Sequence, residues 1–144
     1  MRLMLTIRQE CRASTAAPAE DTFLSFRLPA HAGRYREGDM NEKPVRNILV
    51  VVKARVAAAA ALGKTICEWL RKRGAHVQML FAGLELAPYL TPPVDLIVVL
   101  GGDGTILGVA RKVVGMEIPL VCINFGRVGF LSDIEPEDWE KGLE

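Results

Sequence analysis

The stretch from Val94 to Arg111, V-D-L-I-V-V-L-G-G-D-G-T-I-L-G-V-A-R, constrains the fold more than any other. Leu96 to Leu100 is an unbroken run of branched aliphatic side chains, the pattern of a strand buried on both faces. The run stops at Gly101-Gly102-Asp103-Gly104-Thr105, and apolar residues at helical spacing resume at Ile106 and Leu107. A strand, a glycine turn and a helix start, in that order, are the usual setting of a phosphate site. Free backbone N–H groups and the helix dipole favour an anion there, and glycine lets the backbone approach it with no Cβ in the way. Asp103 is out of place in such a turn, because a carboxylate repels phosphate. Two kinds of chemistry give it a purpose: holding a divalent cation that bridges to the phosphates, or accepting a proton from an attacking hydroxyl. The stretch points to phosphoryl transfer.

The rest of the chain narrows the setting. With 144 residues there is room for one domain with a real core, or a domain plus a tail. Half of the residues are hydrophobic and the net charge is +1, which gives no electrostatic case for nucleic acid or an acidic membrane. The longest apolar runs, Val56 to Leu62 and Leu96 to Leu100, fall far short of the roughly 20 residues that span a bilayer. Three widely spaced cysteines, Cys11, Cys67 and Cys122, contain no C-x-x-C pair. They argue against a disulfide framework or a zinc site and fit a reducing, cytoplasmic compartment.

Residues 1–43 read as an extension outside the core. Pro18, Pro29, Gly33 and Gly38 break its periodicity, and Glu10, Glu20 and Asp21 count against a transit peptide despite Arg2, Arg8 and Arg12. Met40, just ahead of the first credible strand, is a candidate start of translation. From residue 44 the chain reads as one α/β unit to residue 144. Asn47 to Lys53 is a buried strand, and Arg55 to Arg73 a helix with Leu62, Ile66, Trp69 and Leu70 on one face. Gly74 follows at the C′ position, and Arg71-Lys72-Arg73 suit the negative end of the helix dipole. Ala75 to Phe81 is a second strand, in which His76 reads as a strand residue rather than a ligand. Ala82 to Pro93 is a loop with room for a short helical turn. The glycine unit runs to about Val114, with Gly115 as the stop signal. Ile118 to Phe125 is a fourth strand, where Cys122 reads as a small core hydrophobe. A second glycine loop, Asn124-Phe125-Gly126-Arg127-Val128-Gly129-Phe130-Leu131, precedes an acidic helix start at Glu135 to Glu144, with Pro136 near N1. Alternation of strand and helix predicts an open parallel sheet flanked by helices. Ligands collect at the carboxyl ends of the strands in such sheets, so both glycine loops should face one crevice.

Taken together, the two loops resemble a known family. G-G-D-G-T occurs in a broad superfamily that includes diacylglycerol and sphingosine kinases, with a close variant in phosphofructokinases. The pairing of G-G-D-G-T-I-L-G-V-A-R with I-N-F-G-R-V-G-F-L-S-D-I closely resembles the NAD kinases, which make NADP from NAD and ATP. The resemblance covers residues 47–144. It implies a Rossmann-like, phosphofructokinase-like N-terminal domain. It also implies ATP as phosphoryl donor (polyphosphate in some members), a divalent cation such as Mg2+, NAD as substrate and a homo-oligomer at full length. No resident metal ligand, nucleic acid or membrane partner is implied. Asp103 would be the general base on the adenosine ribose 2′-hydroxyl; the alternative is an N-cap that satisfies helix donors. Gly101, Gly102 and Gly104 would admit phosphate or ribose to the backbone, or simply make a tight turn. Thr105 would donate to a phosphate or help start the helix. Leu107 and Phe130 match positions bordering the NAD site, with Phe130 beside the adenine; core packing is the other role open to Leu107. Asn124 matches the asparagine at the strand end, where bracing the loop is the other role open to it.

Two departures from the family pattern stand out. Many relatives carry a basic residue where this chain has Gly108, so any contact there must come from backbone. The family also continues into a C-terminal β-rich domain that carries an asparagine–acid motif and much of the NAD pocket, and Glu144 falls where that domain would begin. The expectation is therefore little or no turnover from these 144 residues alone, because positioning supplies up to ~7–11 kcal/mol of barrier lowering in such reactions. Two other readings remain open at this point: a lipid or sugar kinase sharing the glycine–aspartate turn, and a protein that only binds nucleotide or competes for oligomer contacts.

Overall fold

The four strands expected from residue 47 onward form one parallel sheet, and their connections place the two glycine loops side by side. The structure, a computed structural model, describes residues 4–7, 24–27, 45–127, 129–132 and 134–144. Its sheet consists of β3 (Asn47–Val52), β4 (His76–Phe81), β5 (Leu96–Gly101) and β6 (Leu120–Asn124), in the order β4-β3-β5-β6. A separate antiparallel pair joins β1 (Met4–Ile7) to β2 (Leu24–Arg27). The other positions of the expected 1–43 extension, Met40 among them, lie outside the described residues.

β3 from Ile48 to Val52 and β5 from Leu96 to Leu100 are apolar at every position because both sheet faces are covered. On one face Ile48, Val50, Val52, Leu96, Val98 and Leu100 pack with Ala59, Ile66, Cys67 and Leu70 of α1 (Ala57–Lys72), and with Leu143 of α3 (Trp139–Leu143). On the other, Leu49, Val51, Ile97 and Val99 meet Ile106, Val109 and Val113, contributed by α2 (Asp103–Lys112) and the residue that ends it. β3 leads outward to β4 and β5 leads outward to β6, so the strand order reverses between β3 and β5. A crevice opens at the carboxyl ends of a parallel sheet at such a point. At the opposite end Asp95 ties the two central strands together, its Oδ2 accepting the N–H groups of Arg46 at 3.0 Å and Asn47 at 2.9 Å.

Several boundaries differ from the sequence expectation for local reasons. α1 starts at Ala57 rather than Arg55, since Arg55 takes a left-handed φ of 62° and Val56 is extended. Its buried stripe is Ala59, Gly63, Ile66, Cys67 and Leu70, leaving Leu62 and Trp69 only half-buried. Gly63 sets this rotation, because a Cβ there would stand 2.7 Å from Cγ2 of Val52. β6 starts at Leu120, after Pro119 and the left-handed Glu117 (φ 53°). The last segment opens as a 3-10 turn over Pro136–Asp138 before α3. Gly74 and Gly115 end their helices at φ 82° and 80°, as the sequence pattern predicts. The basic trio also has local work: Arg71 donates to Val77 O at 2.8 Å, and Arg73 lies 3.4 Å over the Trp69 ring.

Candidate functional site

β5 delivers Gly101 to the carboxyl edge of the sheet, and the chain turns directly into α2. Gly102 is the N-cap, with φ −95° and ψ −176°, and its carbonyl accepts the N–H groups of Thr105 at 2.9 Å and Ile106 at 3.1 Å. Asp103 is therefore the first helical residue and not the cap. Its half-buried carboxylate turns to the second glycine loop instead. Phe130 N–H lies 3.2 Å from each of its oxygens, and Leu131 N–H lies 3.2 Å from Oδ1. Asp103 thus joins two loops that the sequence keeps far apart.

The glycines around it have different reasons to be glycine. A Cβ on Gly101 would lie 2.6 Å from Cβ of Thr105, so any side chain there collides with the first turn of α2. A Cβ on Gly102 would lie 3.2 Å from Cα of Gly126, and one on Gly126 would lie 3.1 Å from Cα of Gly102. The two loops touch backbone to backbone at that point. A Cβ on Gly104 or Gly108 would have nothing within 4 Å, so packing does not require glycine at either. Gly104 leaves bare backbone facing open space at the helix N-terminus.

Asn124, at the end of β6, braces the second loop from within. Its Oδ1 accepts Gly126 N–H at 2.9 Å and its Nδ2 donates to Glu135 Oε1 at 3.3 Å. A Cβ on Gly129 would stand 3.1 Å from the same Oδ1 and would meet Ser132 Oγ, a buried hydroxyl with no hydrogen-bond partner among the described residues. Phe125 N–H bonds Gly101 O at 3.0 Å, which locks the start of this loop to the end of β5.

Two surfaces flank Asp103. Leu107 is four residues along α2 and so shares its helix face; with Phe130 it exposes apolar surface, at 45% and 84% of the possible area. The adjacent face of α2 borders a cleft of about 420 Å³ lined by Lys53, Leu84, Gly104, Thr105, Gly108 and Lys112. The sequence-predicted residues thus divide into Asp103, Leu107 and Phe130 on one side, Gly104, Thr105 and Gly108 on the other, and Gly101, Gly102 and Asn124 as the scaffold between them. Lys53 and Lys112 were not among the predicted site residues. Lys53 was open to detection as the polar residue that ends a buried strand at its carboxyl end; Lys112, in the last turn of α2, gave no such sign. A second cavity of about 370 Å³, at the amino ends of β3 and β4, includes neither glycine loop. Among the described residues no helix is long and apolar enough to cross a membrane.

Comparison with known proteins points to one family. Residues 84–144 match the model of the ATP-NAD kinase N-terminal domain. An NAD kinase of Nitratidesulfovibrio vulgaris strain DP4 is 42% identical over 103 residues, which cover 70% of this chain and 34% of that protein. NAD kinases of Treponema denticola and Oleidesulfovibrio alaskensis are 35% and 34% identical over 69% and 70% of this chain, and each is covered over 35% of its length. The chain spans about a third of the length of the curated relatives it matches. By these matches the chain belongs to the NAD kinase family.

Proposed function

We propose that the α/β unit over residues 44–144 carries the phosphoryl-transfer centre of an NAD kinase, an activity that phosphorylates the adenosine ribose 2′-hydroxyl of NAD to give NADP. The single observation that carries the reading is the position of Asp103, a half-buried carboxylate at the carboxyl edge between a lysine-lined cleft and an exposed aromatic loop. A phosphate donor needs cations and free N–H groups, and the cleft beside Gly104 offers both. An adenine needs a flat apolar surface, and Phe130 and Leu107 offer that. ATP therefore occupies the cleft and the adenosine end of NAD the Phe130 side, which brings the 2′-hydroxyl and the γ-phosphate together at Asp103.

In this arrangement Asp103 accepts the proton of the 2′-hydroxyl as its oxygen attacks the γ-phosphorus, and the bond to ADP breaks. The carboxylate already receives two backbone N–H groups, which fix its orientation and leave acceptor capacity for the hydroxyl. No group of three or more His, Cys, Asp or Glu among the described residues has the arrangement to hold a metal. A Mg2+ held mainly by substrate phosphates and water needs no dedicated protein cage, and it would offset phosphate charge. A lipid or sugar acceptor has less support, since the match extends through the second loop to residue 144.

The test is a sensitive enzymatic cycling assay for NADP, run on the purified chain with NAD, ATP and Mg2+. Slow NADP formation is expected, and Asp103→Asn should reduce it by about 10²–10⁴-fold. Equal NADP formation by Asp103→Asn would remove the assignment of the base.

A further inference from the structure

We propose that Lys53 binds the phosphates of the donor, an assignment that rests on the phosphoryl-transfer reading above. Lys53 directly follows β3, and its backbone N–H still pairs with Leu100 O at 2.8 Å. That bond holds it where β3 and β5 diverge, beside the end of the strand that carries Gly101. Its side chain is half-buried, and Nζ has one polar neighbour among the described residues, Phe125 O at 3.5 Å. No carboxylate among the described residues pairs with it. An ammonium has three N–H donors, and one long contact to a carbonyl leaves its charge without compensation. A partly desolvated, uncompensated charge is costly unless something else meets it.

What meets it is set by the cleft. Lys53 lines one wall, and Gly104 and Thr105 of the first turn of α2 line another. Lys112, the other lysine there, donates to Leu84 O at 3.1 Å and lies two turns further along α2. Of the two lysines that line the cleft, Lys53 is thus the one at the carboxyl edge with its hydrogen-bonding capacity largely unspent. A polyanionic group entering beside Gly104 would find a compact positive charge on one side and bare backbone on the other. Lysine suits this role as a point charge free to follow the phosphates. The competing role is structural: through Phe125 O, Lys53 would only brace the start of the second glycine loop. A brace affects both ligands and stability alike, whereas a phosphate ligand affects the donor selectively.

The experiment is calorimetric titration of the purified 144-residue chain with Mg·ATP and, separately, with NAD, for the wild type, Lys53→Gln and Lys53→Arg, alongside thermal melts. Lys53→Gln should weaken Mg·ATP binding roughly tenfold or more, the loss of a charge-assisted contact. NAD binding and the melting temperature should stay as in the wild type, and Lys53→Arg should retain most of the donor affinity. Unchanged Mg·ATP binding in Lys53→Gln overturns the assignment and leaves the NAD kinase reading standing. Equal loss of both ligands with a lower melting temperature also overturns it, in favour of the brace. Wild-type chain that binds no Mg·ATP removes the donor site and Lys53 with it, whether or not it binds NAD.

Discussion

At the scale of single residues, the glycines of the first loop separate packing from ligand approach. Gly102 meets Gly126 across the loop contact, and a methyl group at 3.2 Å from Cα of Gly126 forces two backbones apart. Gly102→Ala should lower stability by about 1–3 kcal/mol, the usual range for overpacking, as read by urea unfolding. Gly104 sits in the first turn of α2 with open space around it, and Gly104→Ala should instead raise stability by about 0.5–1 kcal/mol through helix propensity and unfolded-state entropy. On the proposed reading the same substitution weakens Mg·ATP binding, so one variant should be more stable and less able to bind. The motif G-G-D-G-T was plain in the sequence, but which glycine served which purpose was not. That depends on Gly126, which belongs to another loop and comes close only through the fold. The ambiguity over Asp103 was of the same kind: the sequence allowed an N-cap, and the geometry gives that place to Gly102 while Asp103 accepts from Phe130 and Leu131.

At the scale of elements, the second loop owes its shape to Asn124. Removing its side chain leaves Gly126 N–H without its acceptor and cuts the link to Glu135. Asn124→Ala should therefore cost about 1–2 kcal/mol, the range for a part-buried donor left unpaired. Amide exchange should show where the loss falls: protection should drop at Gly126, Phe130 and Leu131, while the amides of β3 and β5 keep theirs. A uniform loss would mean that the loop is not a separate unit. Strands and helices themselves were largely legible, because runs such as Asn47 to Lys53 and Leu96 to Leu100 have no polar interruption. Their edges were not. The left-handed Arg55 trims α1, and Gly63 rotates its buried face toward Ala59 and Cys67 by close approach to Val52, a contact that no helical pattern of large apolar residues reveals.

At the scale of the whole molecule, the order β4-β3-β5-β6 was the piece that periodicity left undetermined, since a buried strand carries no mark of its neighbours. That order makes Lys53 and Gly101 adjacent and so decides which side chains meet at the candidate site. It also buries both faces of the central strands, which commits α1 to one core and Cys67 to its interior. Burial pushes the Cys67 thiol above its ordinary value of 9.0, a shift opposed by Arg71 and reinforced by Glu68. Folding then favours the neutral thiol. Below pH 9.0 the thiol is protonated in both the folded and unfolded chains, and the stability linked to it is fully present. As pH rises past that value the unfolded chain releases its proton first, and stability falls until the folded thiol ionises too. Cys67→Ala should lower stability at neutral pH by about 1–2 kcal/mol, below the cost of emptying a Leu site, because less volume is lost. Above pH 9.0 the variant should fall less steeply than the wild type, so the two curves converge. Urea midpoints collected from neutral pH upward provide the measurement. Parallel curves would show that Cys67 keeps an ordinary thiol and that water reaches the core between α1 and the sheet.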